Sequence, residues 1–172
     1  MADPRSALGS RAGDLAVLDA VEVPFLTQID VRCAPEDAER LGFPSLANTV
    51  AGDLTRGVLW LGPDEWLLVG LPGTARATME ELEPALDGVH HAIVDVSGNR
   101  AVLELQGVDR YELLASGCSL DLDPRGGWVF GVCAQTMFAR AQVILQELQG
   151  ATRFFVRPSF AHYVVDRLLA AR

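Results

Sequence analysis

No lysine occurs anywhere in the 172 residues: all 14 cations are arginine, set against 23 carboxylates for a net charge of −9. So acidic a chain lacks the basic face that nucleic-acid binding requires. Cysteine is scarce, with Cys33, Cys118 and Cys133 far apart and without CxxC spacing. An odd, scattered set argues against a disulfide framework and a structural zinc site, and fits a reduced cytoplasm. No apolar run approaches the roughly 18 residues of a membrane span. The first residues carry Arg5, Arg11 and Asp14 and no apolar core, so no signal peptide is expected. Phosphate-cradling loops are missing as well. Neither GxGxxG nor GxxxxGK[ST] occurs, which leaves Rossmann-type dinucleotide binding without support. No GxSxG elbow anchors a hydrolase triad.

What is present is core material. Hydrophobic residues make up 49% and the mean hydropathy is +0.20, too apolar for a disordered chain. Charge is uneven: residues 1–96 sum to −10 and residues 97–172 to +1. Either this is ordinary solubility, or the near-neutral part, with its apolar block at 128–148, faces a partner.

Residues 1–16 are small and polar and read as an extended arm before a single domain, 17–172, with sub-lobes at 17–92 and 93–172. Residues 25–33 alternate as a half-buried strand, with Phe25, Thr27, Ile29, Val31 and Cys33 inward and Gln28, Asp30 and Arg32 outward. Pro35 opens a short helix and Gly42 stops it. VLWL and EWLLVG form a hairpin across Gly62-Pro63-Asp64. A helix follows from about Thr74 or Thr78, with a break or kink expected at Pro84. HHAIVDVS and RAVLEL are strands joined by a Ser97-Gly98-Asn99 turn. A helix spans 108–116, strands fill 128–149 and RFFVRP, and a last helix at 160–171 takes Ser159 as its cap. Hairpins beside crossovers define the fold class as α+β, two small similar lobes of mixed or antiparallel sheet with helices on one face.

Candidates for chemistry are few. His90 and His91 are adjacent on a strand and point to opposite faces, so they cannot chelate one ion together; His162 has no helical companion ligand. Asp121 and Asp123 share a face and read as paired carboxylates or as a solvated loop. Asp95 and Arg100 flank the turn and pair across a hairpin, unless Arg100 grips an anionic ligand. Ser97 and Ser116 precede glycines at turns. Trp60, Trp66 and Trp128 serve as core, interface or stacking surface. Each cysteine sits in an apolar stretch and is read as a small hydrophobe. No residue is therefore assigned a catalytic, cofactor-binding or metal role, and a binding or structural protein is the default.

Five ordered blocks carry a resemblance: LGPDEWLLVG (61–70), VDVSGNRAVLELQG (94–107), ASGCSLDLDP (115–124), GVCAQTMFARAQVIL (131–145) and VRPSFAHYVVDRL (156–168), with RSAL near the start. Together they resemble the gamma subunit family of heterotetrameric sarcosine oxidase over nearly the whole chain. The second block also resembles the glycine-cleavage T-protein and its folate-binding relatives, so the implied fold is T-protein-like. The resemblance implies a non-catalytic subunit, without a cofactor of its own, in a cytoplasmic complex with alpha, beta and delta subunits, alpha above all. Those other subunits are implied to carry FAD, FMN, NAD, tetrahydrofolate and zinc. The complex is implied to convert sarcosine to glycine, with peroxide and 5,10-methylenetetrahydrofolate as further products. The alternative is a stand-alone folate-binding or aminomethyltransferase-like protein.

Overall fold

A computed structural model describes residues 5–172 of the chain. The elements, in order, are α1 (Ala12–Val17), β1 (Ala20–Glu22), β2 (Thr27–Arg32), α2 (Pro35–Arg40), β3 (Val50–Gly52), β4 (Arg56–Gly62), β5 (Glu65–Gly70), α3 (Ala75–Ala85) and β6 (Ala92–Asp95). Then come β7 (Ala101–Leu105), α4 (Arg110–Ala115), β8 (Cys133–Phe138), β9 (Ala141–Leu148), β10 (Ala151–Val156) and α5 (Pro158–Leu169). The strands form two five-stranded sheets, ordered β1-β7-β10-β9-β8 and β3-β4-β5-β2-β6. The class is α+β, as the sequence indicates.

The two sheets share one plan. After α1 the chain runs strand, strand, helix, three strands, helix, and then repeats that series. In each sheet the second strand of the series, β2 or β7, lies between the last strand of the meander, β5 or β10, and an edge strand. That edge strand comes from the other repeat: β6 pairs with β2, and β1 pairs with β7. The compact units are therefore discontinuous. One comprises Met1–Pro24, Asn99–Phe130 and Ala134–Arg172; the other comprises Phe25–Gly98 and Gly131–Cys133. The sub-lobe boundary expected between residues 92 and 93 falls inside β6, because pairing with β2 holds Ala92–Asp95 in the preceding sheet.

The same exchange corrects the expected hairpin around Ser97-Gly98-Asn99. β6 and β7 belong to different sheets, and the turn carries the chain from one unit to the other. The expected arm is also corrected. Residues 1–4 lie outside the described residues, but Gly9–Arg11 forms a 3-10 turn that runs into α1. Leu8 and Leu15 are buried, and the Leu8 N–H donates to Glu22 Oε1 at 3.0 Å. Two leucines among small residues are enough to anchor the segment.

In the unit built on Phe25–Gly98, alternation in β2 and β5 sets the core. Val31 lies opposite Trp66 and Ile29 opposite Leu68. They pack with Leu82 and Leu86 from the α3 region and with Ala38 and Phe43 around α2. Burying each such large side chain stabilises the fold by roughly 1.5–3 kcal/mol. The end of α2 follows from Gly42, whose φ of +73° is open to glycine at no steric cost. Its N–H donates to Glu39 O, and the Phe43 N–H reaches back to Ala38 O, each at 3.0 Å. The hairpin of β4 and β5 forms as expected, with a register shift between Trp60 and Gly62.

Other local differences have simple causes. α3 runs through Pro84 to Ala85, because a proline in the last turn removes only one N–H donor near a helix end. Thr74 occupies the N-cap position, yet its hydroxyl donates to Leu71 O at 2.8 Å. α5 starts at Pro158, the favoured first-turn residue, so Arg157 rather than Ser159 is its N-cap. Gln28, expected outward, is buried, while Phe25, expected inward, is about half exposed with φ +62°. Among the described residues no helix is long and apolar enough to cross a membrane.

Candidate functional site

The residues nominated by sequence are drawn into local turns. Asp95 Oδ1 accepts from the Ser97 N–H at 2.9 Å and from the Ser97 hydroxyl at 2.6 Å. The Ser97 hydroxyl oxygen accepts from the Gln28 N–H at 3.0 Å, which fixes the crossover turn onto β2. Ser116 donates to Leu113 O at 2.6 Å, a helix-end contact. Asp121 Oδ1 accepts from the Asp123 N–H, and Asp123 accepts from the Arg125 backbone and guanidinium. The Arg125 hydrogen bonds hold the Asp123 carboxyl below its ordinary range. These two aspartates organise successive turns of one loop and do not converge on a shared site. Among the described residues no group of three or more His, Cys, Asp or Glu is placed to hold a metal ion.

Cysteines and tryptophans are interior. Cys33, Cys118 and Cys133 are free and buried. Burial pushes the Cys133 thiol up to about 12, and the thiol donates to Trp60 O at 3.4 Å. Nucleophilic sulfur is thiolate, so this group stays protonated near neutrality. Trp66 Nε1 donates to Pro44 O at 2.9 Å, and Trp60 packs against the same core.

His91 is held more specifically. Its Nε2 contacts Glu83 Oε2 at 2.8 Å and its Nδ1 contacts Val89 O at 2.9 Å. Two acceptors on two ring nitrogens favour the doubly protonated imidazolium. The Glu83 hydrogen bond, then the Val89 carbonyl, raises the His91 pKa above its ordinary value. A raised pKa contributes stability that is fully present below about 6.5 and lost as pH rises through the folded-state value. Proton-detected titration of His91 is expected to give a midpoint above that of an unfolded histidine, and Glu83→Gln to lower it. Identical midpoints in the two proteins would count against this contact.

Sequence reading missed a buried polar group that joins four other residues. Glu147, buried in β9, accepts four hydrogen bonds. Its Oε1 takes Arg110 Nη2 at 3.1 Å and the Tyr111 hydroxyl at 2.7 Å. Its Oε2 takes Trp128 Nε1 at 2.8 Å and the Thr152 hydroxyl at 2.6 Å. The Arg110 guanidinium also lies 4.2 Å from the Tyr111 ring centroid. One carboxylate thereby ties α4, the loop at Trp128, β9 and β10 together. The available signal was a lone carboxylate within a mostly apolar strand, VILQEL. On the opposite face of that sheet Arg153 lies across from Glu104 and donates from Nε and Nη2 to Oε1 at 2.9 and 2.7 Å.

Surface grooves among the described residues include three lined as follows. The first, about 510 Å³, runs between α1 and β1 and is lined by small apolar residues with Asp19 and Glu22. The second, about 390 Å³, includes Arg32, Cys33, Asp64, His90 and His91. Arg32 there is paired with Glu65 at 2.7 Å and lies near Asp30 and Asp64. The third, about 500 Å³, is formed by Ala139, Arg140, Tyr163 and Arg167.

The sequence blocks lie at the points that define this topology. The first forms the β4–β5 hairpin, the second the β6-to-β7 crossover, and the last two much of β8, β9 and α5. The family described as "Sarcosine oxidase, gamma subunit family" matches residues 30–171. Sarcosine oxidase subunit gamma from Arthrobacter sp is 34% identical over 176 residues, covering 94% of this chain and 84% of the relative. A chain of the heterotetrameric sarcosine oxidase from Corynebacterium sp. U-96, in complex with pyrrole 2-carboxylate, has a TM-score of 0.88 at 30% identity. The match covers 98% of this chain and 94% of that one. Aminomethyltransferase T of the glycine cleavage system from Bartonella henselae has a TM-score of 0.62 at 16% identity, covering 87% of this chain and 45% of its own. That second likeness speaks for the fold alone and makes it T-protein-like. With its full-length match in both sequence and structure, the chain belongs to the sarcosine oxidase gamma subunit family.

Proposed function

We propose that this chain is the non-catalytic gamma subunit of a heterotetrameric sarcosine oxidase. It acts as a structural member of an oxidoreductase that turns sarcosine into glycine, with peroxide and 5,10-methylenetetrahydrofolate as further products. The observation that carries the reading is the end-to-end likeness to a chain of the Corynebacterium enzyme, TM-score 0.88 over 98% of this chain. In this reading the partners are alpha, beta and delta subunits, alpha above all. FAD, FMN, NAD, tetrahydrofolate and zinc reside on those subunits, and the complex works in the cytoplasm, where three buried free thiols are at home.

The chain's own chemistry supports a supporting role. Its nominated carboxylates and hydroxyls are engaged in turns, and Glu147 carries four donors. The groove between α1 and β1 does not fit a dinucleotide. Its ionisable groups, Asp19 and Glu22, have the same sign as a pyrophosphate, and Glu22 already accepts the Leu8 N–H. What the chain offers an assembly is two small rigid sheets with different charge. The unit built on Phe25–Gly98 holds 12 carboxylates and 4 arginines, a formal −8, while the other holds 11 and 10, a formal −1.

Affinity purification of the tagged chain from its native host, followed by mass spectrometry and absorbance, tests this. Three further polypeptides in stoichiometric amount are expected, with flavin absorbance following them and the separated chain colourless. A chain that purifies alone, or that keeps stoichiometric flavin after gel filtration, would overturn the reading.

A further inference from the structure

Most arginines in this chain are engaged. Arg11, Arg32, Arg40, Arg56, Arg76, Arg110, Arg125 and Arg153 each contact a carboxylate, as expected where carboxylates number 23 and arginines 14. Arg5, Arg140, Arg167 and Arg172 have no such partner among the described residues, and of these Arg140 and Arg167 lie together. Both are exposed, and neither makes a hydrogen bond or ion pair with any described residue. Both line the same groove, Arg140 from the turn between β8 and β9 and Arg167 from the last turn of α5.

The groove is built on fixed elements. The turn is anchored by the Ala139 N–H donating to Gly117 O at 2.7 Å. α5 is anchored by Ala161, Val164, Val165 and Leu168, all buried. Tyr163 lines the same groove, and its ring meets that of Phe160 edge-on at 6.3 Å. Phe160 is itself 40% exposed. Two unpaired guanidiniums beside two partly exposed aromatic rings match the residue types enriched at the centres of protein interfaces. They also lie on the near-neutral unit, away in sequence from most of the surplus carboxylates.

We infer that the groove of Arg140, Tyr163 and Arg167, extended by Phe160, docks a carboxylate-bearing segment of a partner subunit in the assembly. This rests on the proposed function. Charge complementarity selects the occupant: planar guanidiniums bind carboxylates through paired N–H donors, and the aromatic rings cover the aliphatic part of the segment. A nucleic-acid occupant is disfavoured by the −9 charge of the chain.

The test is assembly of the complete complex from co-expressed subunits, measured by titration and gel filtration. Wild type is compared with Arg140→Glu, Arg167→Glu and the double variant. Arg76→Glu, on α3 of the acidic unit, serves as the control for a change of charge. Circular dichroism of each isolated chain checks folding, since both groove residues are solvent-facing. Wild type and Arg76→Glu are expected to assemble alike, with affinity falling as salt rises. Each groove reversal is expected to weaken assembly by roughly 30-fold or more, the scale for breaking one partner of an interfacial charge pair. Folded reversal variants that assemble with wild-type affinity overturn the inference while leaving the subunit role intact. A wild-type chain that binds no subunit overturns the functional reading and this inference with it. If the reversals abolish only self-association of the isolated chain, the groove belongs to a second copy and the inference is wrong.

Discussion

Glu147→Ala is expected to destabilise the fold by about 3–5 kcal/mol, because it strips four donors of their shared acceptor in a buried site. For a chain of this length that corresponds to a drop of about 6–20 °C in melting temperature. The cost is not the loss of one attractive pair. Arg110, only 14% exposed at its side chain, is left as an inward-facing cation, and the Trp128 indole N–H loses its acceptor in the interior. Glu147→Gln gives a graded version. Its amide oxygen satisfies one pair of donors, and its NH2 can donate to the Tyr111 or Thr152 hydroxyl, which rotate. Either amide orientation still sets the NH2 against a group that cannot accept, Arg110 or Trp128. A loss of about 1–3 kcal/mol is therefore expected for Gln, smaller than for Ala. Thermal and urea melts of the three proteins decide the matter. Equal melting temperatures for wild type and Glu147→Ala would show that the network contributes nothing.

Arg153 and Glu104 form the second sensitive point, and here the double variant is the informative one. The pair is nearly enclosed, with side chains 7% and 16% exposed. Arg153→Met leaves the Glu104 carboxylate facing a desolvated sheet surface and is expected to cost about 2–4 kcal/mol, somewhat less than for a fully buried pair because Glu104 keeps some water. Adding Glu104→Leu removes the orphaned charge. The double variant is expected to recover most of the loss, since replacing both partners of a buried pair by apolar residues is often close to neutral. The coupling in such a cycle should exceed about 1 kcal/mol, the level above which residues in contact are distinguished from independent sites. Strictly additive effects would mean that the two groups are stabilised separately.

Much of the architecture is legible in local pattern. Gly62-Pro63-Asp64 between two β-prone runs announces the β4–β5 hairpin, and that hairpin forms in the expected place. Pro35 and Gly42 bracket α2 through their own backbone preferences. Alternation of Ile29, Val31 and Cys33 marks the buried face of β2 and its continuation. These signals are short-range, so they survive in the sequence alone. The short strands β1 and β3 escaped notice because three residues carry too little periodicity to stand out.

The Glu147 centre was not legible for a related reason. Its donors come from residues 110, 111, 128 and 152, and no spacing rule relates them. A single carboxylate in an apolar strand hints at a buried partner but does not say which. The arginine groove is hidden in the same way, since Arg140 and Arg167 are 27 residues apart and only the packing of α5 beside the β8–β9 turn makes them neighbours.

Composition and motif order, then, were enough to indicate an acidic α+β chain, the β4–β5 hairpin, four of its helices and the resemblance to its family, because each of these is written in local runs of residues. Tertiary structure decided which strands share a sheet. β1 and β6 each join the sheet of the other repeat, so Ser97-Gly98-Asn99 is a crossing between units and not a hairpin. Strand partnership depends on hydrogen bonds between segments distant in sequence, and an exposed edge such as AIVD pairs as readily with β2, more than sixty residues earlier, as with the strand that follows it.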